Sequence, residues 1–304
     1  MHYIGIDLGG TSIKGAVVTE GGTILKEASC PTQRESGPEH VARKISGLIT
    51  ALAEGYDPQA IGGVGVGCPG IVEDHSGIVR YSANLHWENF DLRAAVQKYS
   101  GYTVRLANDA NAAALGEYAF GGGRGCRNAV FITLGTGVGG GLVLDGRLYG
   151  GARGIAGELG HFTLYQEGPA CPCGKRGCFE HYASVTALIR RAHEAAPETE
   201  WNGRKIFERA AQGDAVLLRV LETWIDDIAA GLTGLVHLFN PEAVLIGGGV
   251  SAQEKLLIEP LRRRVLQGVM PRFAEGLRVE AATLGNDAGL LGAVRFFLER
   301  EGRL

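Results

Sequence analysis

The chain has no stretch of 18 consecutive apolar residues, so no membrane-spanning helix and no membrane partner is expected. Met1 runs straight into HYIGIDL without a basic, apolar leader, and a cytoplasmic setting is the expectation. A surplus of one charge is also missing: 30 Lys and Arg stand against 33 Asp and Glu, a net −3. Without a basic field, no nucleic-acid partner is expected. No G-x-x-x-x-G-K-[ST] occurs, which excludes a P-loop enzyme. Cysteine is sparse at six residues, and Cys30, Cys68 and Cys126 are scattered like ordinary buried or partly buried thiols. There is no low-complexity segment and no Pro/Ser-rich linker, so a domain boundary has to come from topology.

Glycine, by contrast, is abundant. The 48 glycines are about twice the average of ~7%. They cluster beside β-like runs, which suggests backbone approaching a ligand closely. With 304 residues, 45% hydrophobic and 21% charged, the chain is an ordinary globular sequence long enough for two cores.

HYIGIDLGG and SIKGAVVTEGGTILKEAS read as paired strands with a turn at Glu20-Gly21-Gly22. Spacing at Val41, Ile45, Leu48, Ile49 and Leu52 predicts a helix over 40–54. IGGVGVGCPG and TVRLAND read as strands, 92–99 as a short helix and 111–120 as an Ala-rich helix. NAVFITLGTGVGGGLVLDGRLYGG reads as strand, glycine turn, strand, a turn at Asp145-Gly146, and strand. Helices are expected over 185–196, 206–212, 216–239, 256–270 and 288–300, with EAVLIGGGV as a strand ending in glycines.

The two halves resemble each other. Each opens on a hairpin with a Gly/Thr turn: Gly9-Gly10-Thr11 in the first and Gly135-Thr136-Gly137 in the second. The N–H groups of such turns bind anions, and a threonine hydroxyl adds a donor. Lys14 could add a point charge, and Asp7 could orient a hydrated Mg²⁺. A Gly/Thr turn is as often a plain hairpin as a phosphate site. Gly135, Gly137 and Gly140 also satisfy G-x-G-x-x-G, but the dinucleotide fingerprint needs a helix next, and GLVLDGRLYGG reads as a hairpin.

His161 is followed by Cys171, Cys173 and Cys178, one imidazole and three thiols within reach of one tetrahedral ion. Structural zinc takes this donor set. The bland alternatives are free thiols or a disulfide, which a reducing compartment disfavours. Glu158 and Glu180 flank the group; singly they would read as a loop carboxylate and a helix first-turn charge. Asn108-Asp109 ends a strand and precedes a helix. Alone it reads as a helix cap. Beside two phosphate-type turns, Asp109 becomes the base that phosphoryl transfer needs.

Jointly, DLGGTSIKG (7–15), GCPGIV (67–72), NLHW (84–87), ANDANAAALGE (107–117), LGTGVGGG (134–141), GELGH (157–161), CPCGKRGCFEHYAS (171–184) and NPEAVLIGGGVS (240–251) resemble the ROK family of sugar kinases and regulators. The resemblance spans nearly the whole chain and is nearest to the family's bacterial glucokinases. It implies an α/β, actin-like (ribonuclease H-like) fold of two domains around a central cleft. The expected domains are 1–114 plus 288–304, with the C-terminal helix returning, and 115–287 with the zinc loop. It implies ATP-dependent phosphorylation of a hexose, glucose to glucose 6-phosphate first, with Asp109 as base. Gly70, Asn84, Asn108, Glu158, His161 and Glu180 match sugar-binding positions. Asp7, Gly9, Gly10, Thr11, Lys14, Thr136 and Gly137 match the phosphate side, and Gly247, Gly248 and Gly249 the nucleoside side. His161, Cys171, Cys173 and Cys178 match the family's structural Zn²⁺ ligands. ATP and Mg²⁺ are the implied cofactors, and a homodimer or homotetramer the implied assembly.

Two alternatives stay open. Mannose, fructose, allose, N-acetylglucosamine and N-acetylmannosamine kinases share these motifs, and LHWENFD after Asn84 departs from the family's common NLPGW form. The other is a sugar-sensing regulator; the first turn begins at Asp7, which leaves no expected room for a helix-turn-helix ahead of it.

Overall fold

The computed structural model describes residues 1–303 apart from 74 and 198. It divides into two compact units, Met1–Arg124 with Leu148–Gly157 and Leu284–Leu304, and Gly125–Arg147 with Glu158–Thr283.

Unit 1 is built on strands β1 (His2–Leu8), β2 (Ser12–Thr19), β3 (Ile24–Pro31), β4 (Ile61–Cys68) and β8 (Val104–Asn108), in the order β3-β2-β1-β4-β8. The first three form an antiparallel meander; β4 and β8 run parallel to β1. Helices α1 (Pro38–Ala53) and α2 (Leu92–Ser100) cover one face, burying Val41, Ile45, Ile49, Leu52 and Val96 against Ile6, Val17 and Val66. A side sheet of β5 (Ile71–Glu73), β6 (Ile78–Ser82) and β7 (Trp87–Asp91) comes after β4. Helix α3 (Asp109–Phe120) leaves β8, and the closing helix α10 (Ala288–Arg300) packs against it. A Cβ on Gly116 would meet the Ala288 carbonyl, and one on Gly292 the Ala112 carbonyl, so the two helices touch backbone to backbone. That contact holds α3 whole within unit 1, where the sequence division at residue 114 would cut it.

Unit 2 repeats the plan. Strands β9 (Ala129–Leu134), β10 (Val138–Leu144), β11 (Arg147–Leu148, whose second residue begins a segment of unit 1), β12 (Ala243–Gly247) and β13 (Arg278–Ala281) lie in the order β11-β10-β9-β12-β13. Strands β9 and β10 are antiparallel, and β12 and β13 run parallel to β9. Helices α4 (Glu180–Ala183), α5 (Val185–Ala195), α6 (Gly203–Ala211), α7 (Ala215–Phe239), α8 (Glu259–Gly268) and α9 (Pro271–Ala274) complete it. The core centres on Trp224 of α7, fully buried with Leu221, Ile225 and Ile228 against Val130, Ile132 and Ile246 of the sheet. The two meanders and their parallel strands thus match in order and direction, in line with the likeness of the two sequence halves.

Candidate functional site

In unit 1 the strand ends carry the polar groups. Asp7 is the penultimate residue of β1, in register with Lys14 of β2 and Gly67 of β4. Burial pushes its carboxyl above the usual range, the negative charge of Asp109 adds to this, and Lys14 opposes it. A Cβ on Gly289 would lie 3.4 Å from the Asp7 carboxyl carbon, so the start of α10 packs on this group. The β1–β2 turn is closed by the Gly9 N–H donating to the Ser12 carbonyl at 2.9 Å.

Asn108 and Asp109 divide two jobs between them. Asn108 is the helix cap: its Oδ1 accepts from the Asn111 N–H at 3.1 Å. Its amide nitrogen donates to the Gly70 carbonyl at 3.0 Å, which ties β8 to the loop after β4. Asp109 is therefore released from capping and stands at the first position of α3. Its Oδ1 accepts the N–H of the adjacent Ala110 at 2.9 Å. Burial raises its pKa, against the lowering effect of hydrogen bonds from Ala110, its own N–H and Asn108. Cys68, at the end of β4, is buried in the same place, and burial with the fields of Asp109 and Asp7 holds its thiol protonated.

Asn84 is exposed, and its backbone carbonyl lies 3.5 Å from where a Gly10 Cβ would stand. Arg34 belongs to none of the sequence motifs, yet its Nη1 donates to that same carbonyl at 2.8 Å. No spacing rule points to Arg34, because its partner lies 50 residues away.

In unit 2, Gly135-Thr136-Gly137 joins β9 to β10, and the Gly135 N–H donates to the Gly137 carbonyl at 3.0 Å. The turn leads into the second strand of a hairpin, not a helix, so the dinucleotide fingerprint fails its context test. The turn Gly247 to Gly249 ends β12; a Cβ on Gly248 would strike the Leu134 carbonyl, which places it beside the Gly135 turn. Glu180, the first residue of α4, reaches back to this turn and accepts the Val138 N–H at 2.9 Å. A Cβ on Gly137 would collide with the Glu180 carboxylate, so a larger residue there requires that side chain to shift off the turn.

His161, Cys171, Cys173 and Cys178 converge, with one ligand atom from each all within 4.8 Å of one another. Cys173 Sγ is 3.5 Å from Cys178 Sγ, and Cys171 Sγ is 3.7 Å from His161 Nδ1. A tetrahedron with Zn–S bonds of about 2.3 Å has edges of about 3.8 Å, so the spacing and the donor set both fit zinc. All six cysteines are free thiols. The Nδ1 of His161 faces the thiols, which leaves Nε2 pointing elsewhere. Glu158 is coupled to the same group: its carbonyl accepts the His161 N–H at 3.0 Å. On the other side Phe179 is buried, stacked on Phe162 at 4.9 Å, and its N–H donates to the Phe162 carbonyl at 2.9 Å. The loop from Glu158 to Glu180 is thus one braced piece with a carboxylate at each end.

A model of the ROK family matches residues 3–300. A glucokinase of Thermotoga maritima is 41% identical across 99% of both chains. A ROK family glucokinase from Streptomyces griseus, solved in complex with glucose and AMPPNP, superposes with a TM-score of 0.82 at 36% identity, covering 97% of this chain and 98% of that one. A xylose repressor of Caldicellulosiruptor bescii is 32% identical over 96% of this chain and 76% of its own length.

Proposed function

The chain belongs to the ROK family and has its actin-like, two-domain α/β fold, and on that footing we propose that it phosphorylates glucose from ATP, giving glucose 6-phosphate and ADP. Asp109 takes the proton of the acceptor hydroxyl. The hydroxyl oxygen bonds to the γ-phosphorus, the bond to the bridging oxygen breaks, and ADP leaves with that electron pair. The observation that carries this reading is that Asn108 caps α3, so that Asp109 stands at the helix's first position with a buried carboxylate whose Oδ1 takes the Ala110 N–H. A base needs an available carboxylate with a pKa above that of an exposed aspartate, and burial supplies it.

Chemistry assigns the remaining roles. Glu158, Glu180, Asn108 and the outer nitrogen of His161 are acceptors and donors of the kind that pair with sugar hydroxyls, and Gly70 and Asn84 adjoin Asn108 and Gly10. Such pairing rejects epimers that leave polar groups unmatched. The Gly9 to Thr11 and Thr136-Gly137 turns offer N–H groups to phosphate, Lys14 adds charge, and Gly247 to Gly249 lie on the nucleoside side. Asp7 fits an outer-sphere role toward Mg²⁺, because the charges of Asp7 and Asp109 against the single Lys14 leave negative charge to offset. Magnesium when bound would neutralise charge on the phosphates. His161 and the three cysteines would hold Zn²⁺, which keeps the loop bearing both glutamates in one shape.

Identifying the product by phosphorus NMR after incubation with glucose and Mg-ATP tests the reading. The repressor relatives favour a second one, a sugar-binding regulator, which predicts sugar binding without turnover. A cytoplasmic location accords with the absence, among the described residues, of any helix long and apolar enough to cross a membrane. Assembly as a homodimer or homotetramer is checked by light scattering.

A further inference from the structure

Each glycine turn is held from behind by a threonine hydroxyl that belongs to no sequence motif of the phosphate or sugar side. In unit 1, Thr32 comes directly after β3 and is fully buried. Its Oγ1 donates to the Gly9 carbonyl at 2.7 Å, and its N–H donates to the Thr11 carbonyl at 3.0 Å. In unit 2, Thr186 in the first turn of α5 donates its hydroxyl to the Thr136 carbonyl at 2.7 Å. The Val185 N–H donates to the Gly135 carbonyl at 2.8 Å in the same place.

A trans peptide is planar, so its carbonyl and its N–H point in opposite directions. Fixing the Gly9 carbonyl on Thr32 turns the Gly10 N–H the other way. Fixing the Thr136 carbonyl on Thr186 does the same for the Gly137 N–H. The peptide between Gly9 and Gly10 has glycine on both sides, and glycine accepts either sign of φ, so rotation of that peptide is cheap unless something holds it. Rotated, it would present a carbonyl oxygen where an anion is to bind. The two meanders share topology and a Gly/Thr turn, and in both a threonine from outside the turn donates its hydroxyl to a turn carbonyl.

We propose that Thr32 and Thr186 are positioning residues that lock the peptide orientation of the two turns, so that their N–H groups face a nucleotide's phosphate chain. The inference rests on the proposed nucleotide-binding role of the turns and adds these two residues to it. Thr→Val keeps the side-chain shape and removes the hydroxyl; Thr→Ser keeps the hydroxyl.

The test is titration calorimetry of Mg-ADP with wild type, Thr32→Val, Thr32→Ser, Thr186→Val and Thr186→Ser, then KM for ATP and for sugar separately, with Tm recorded. Thr32→Val should weaken Mg-ADP binding and raise the ATP KM by ~5- to 10-fold, one buried hydrogen bond's worth, with the sugar KM unmoved. Thr186 is exposed, so its valine variant should lose about 2- to 3-fold. Both serine variants should recover wild-type binding. Equal losses for valine and serine would assign the effect to packing and overturn the proposal, as would unchanged binding in both valine variants. Wild type that binds Mg-ADP but turns over no sugar would defeat the kinase reading alone. Wild type that binds no nucleotide would defeat both.

Discussion

The Glu180 carboxylate accepts the backbone N–H of Val138 at 2.9 Å. Val138 is the first residue after the Gly135-Thr136-Gly137 turn, and Glu180 comes two residues after the last cysteine of the metal loop. One side chain therefore connects the proposed sugar loop to the proposed phosphate turn within unit 2. Glu180→Gln keeps an acceptor for Val138 and loses the charge, so it should raise the sugar KM about tenfold and leave the ATP KM in place. Glu180→Ala loses the acceptor too and should raise both constants. Steady-state kinetics with each substrate varied in turn distinguishes the two patterns.

Gly137 lies against the same carboxylate. Gly137→Ala puts a methyl group where the Glu180 oxygen stands, and the fixed Val138 contact leaves little room to retreat. Turnover should fall on the order of a hundredfold through misplacement of the turn, with far-UV circular dichroism unchanged. Alanine tolerated at this position would show that Glu180 moves freely.

Asp109→Asn should lower kcat by about a hundred- to ten-thousandfold while sugar binding by calorimetry persists. The pH dependence has a definite sign. A carboxylate acting as the proposed base works ionised, and burial raises the pKa of Asp109, so kcat should fall as pH drops through a value above the ordinary aspartate range. For stability the sign is the reverse of a salt-bridged acid. A carboxyl with a raised folded-state pKa favours the fold below its unfolded pKa, and that contribution is lost as pH rises through the folded pKa. Asp109→Asn should thus have an unchanged or higher Tm at neutral pH, measured by calorimetry.

Metal content gives an independent check. The protein as isolated should carry one zinc per chain by mass spectrometry of the ashed sample. Cys173→Ser should lose it, lower Tm and raise the sugar KM, because Glu158 and Glu180 sit at the two ends of the braced loop. A zinc-free protein with full activity would remove the metal from the account.

Glu117 is fully buried in α3, where its carboxylate accepts N–H groups from Gly122 at 3.1 Å and Leu284 at 2.7 Å. Both partners lie near points where the chain crosses between the units, by the unit boundaries at Arg124 and Leu284. Glu117→Ala removes the acceptor of two part-buried N–H groups and should cost ~1–3 kcal/mol in urea unfolding.

Much of this is legible in the sequence because it depends on local pattern. Glycine turns between β-branched runs, the cysteine spacing and the Asn108-Asp109 pair all use neighbours in the chain. The sequence pattern starts α3 at 111, but the helix begins at 109 because Asn108 caps it and admits Asp109 to the first turn. Residues 256–270 read as one helix, but a π turn over Glu254–Ile258 precedes α8, whose Pro260 lacks the N–H a continuous helix needs. Strands β5, β6 and β7 escape the sequence pattern, because IVE, IVRYS and WENFD are too short and polar to show alternation and are set by pairing with one another. Thr32, Arg34 and Thr186 are not legible at all. Their partners are backbone carbonyls 23, 50 and 50 residues away, and a carbonyl carries no sequence signature.

The most direct test of the central claim is ADP release from Mg-ATP across a panel of hexoses and N-acetylhexosamines, expressed as kcat/KM. The account predicts rapid turnover with glucose preferred over its epimers and over the N-acetylated sugars, and its loss in Asp109→Asn. No turnover on any sugar, with sugar binding retained, would contradict it and make the chain a sensor.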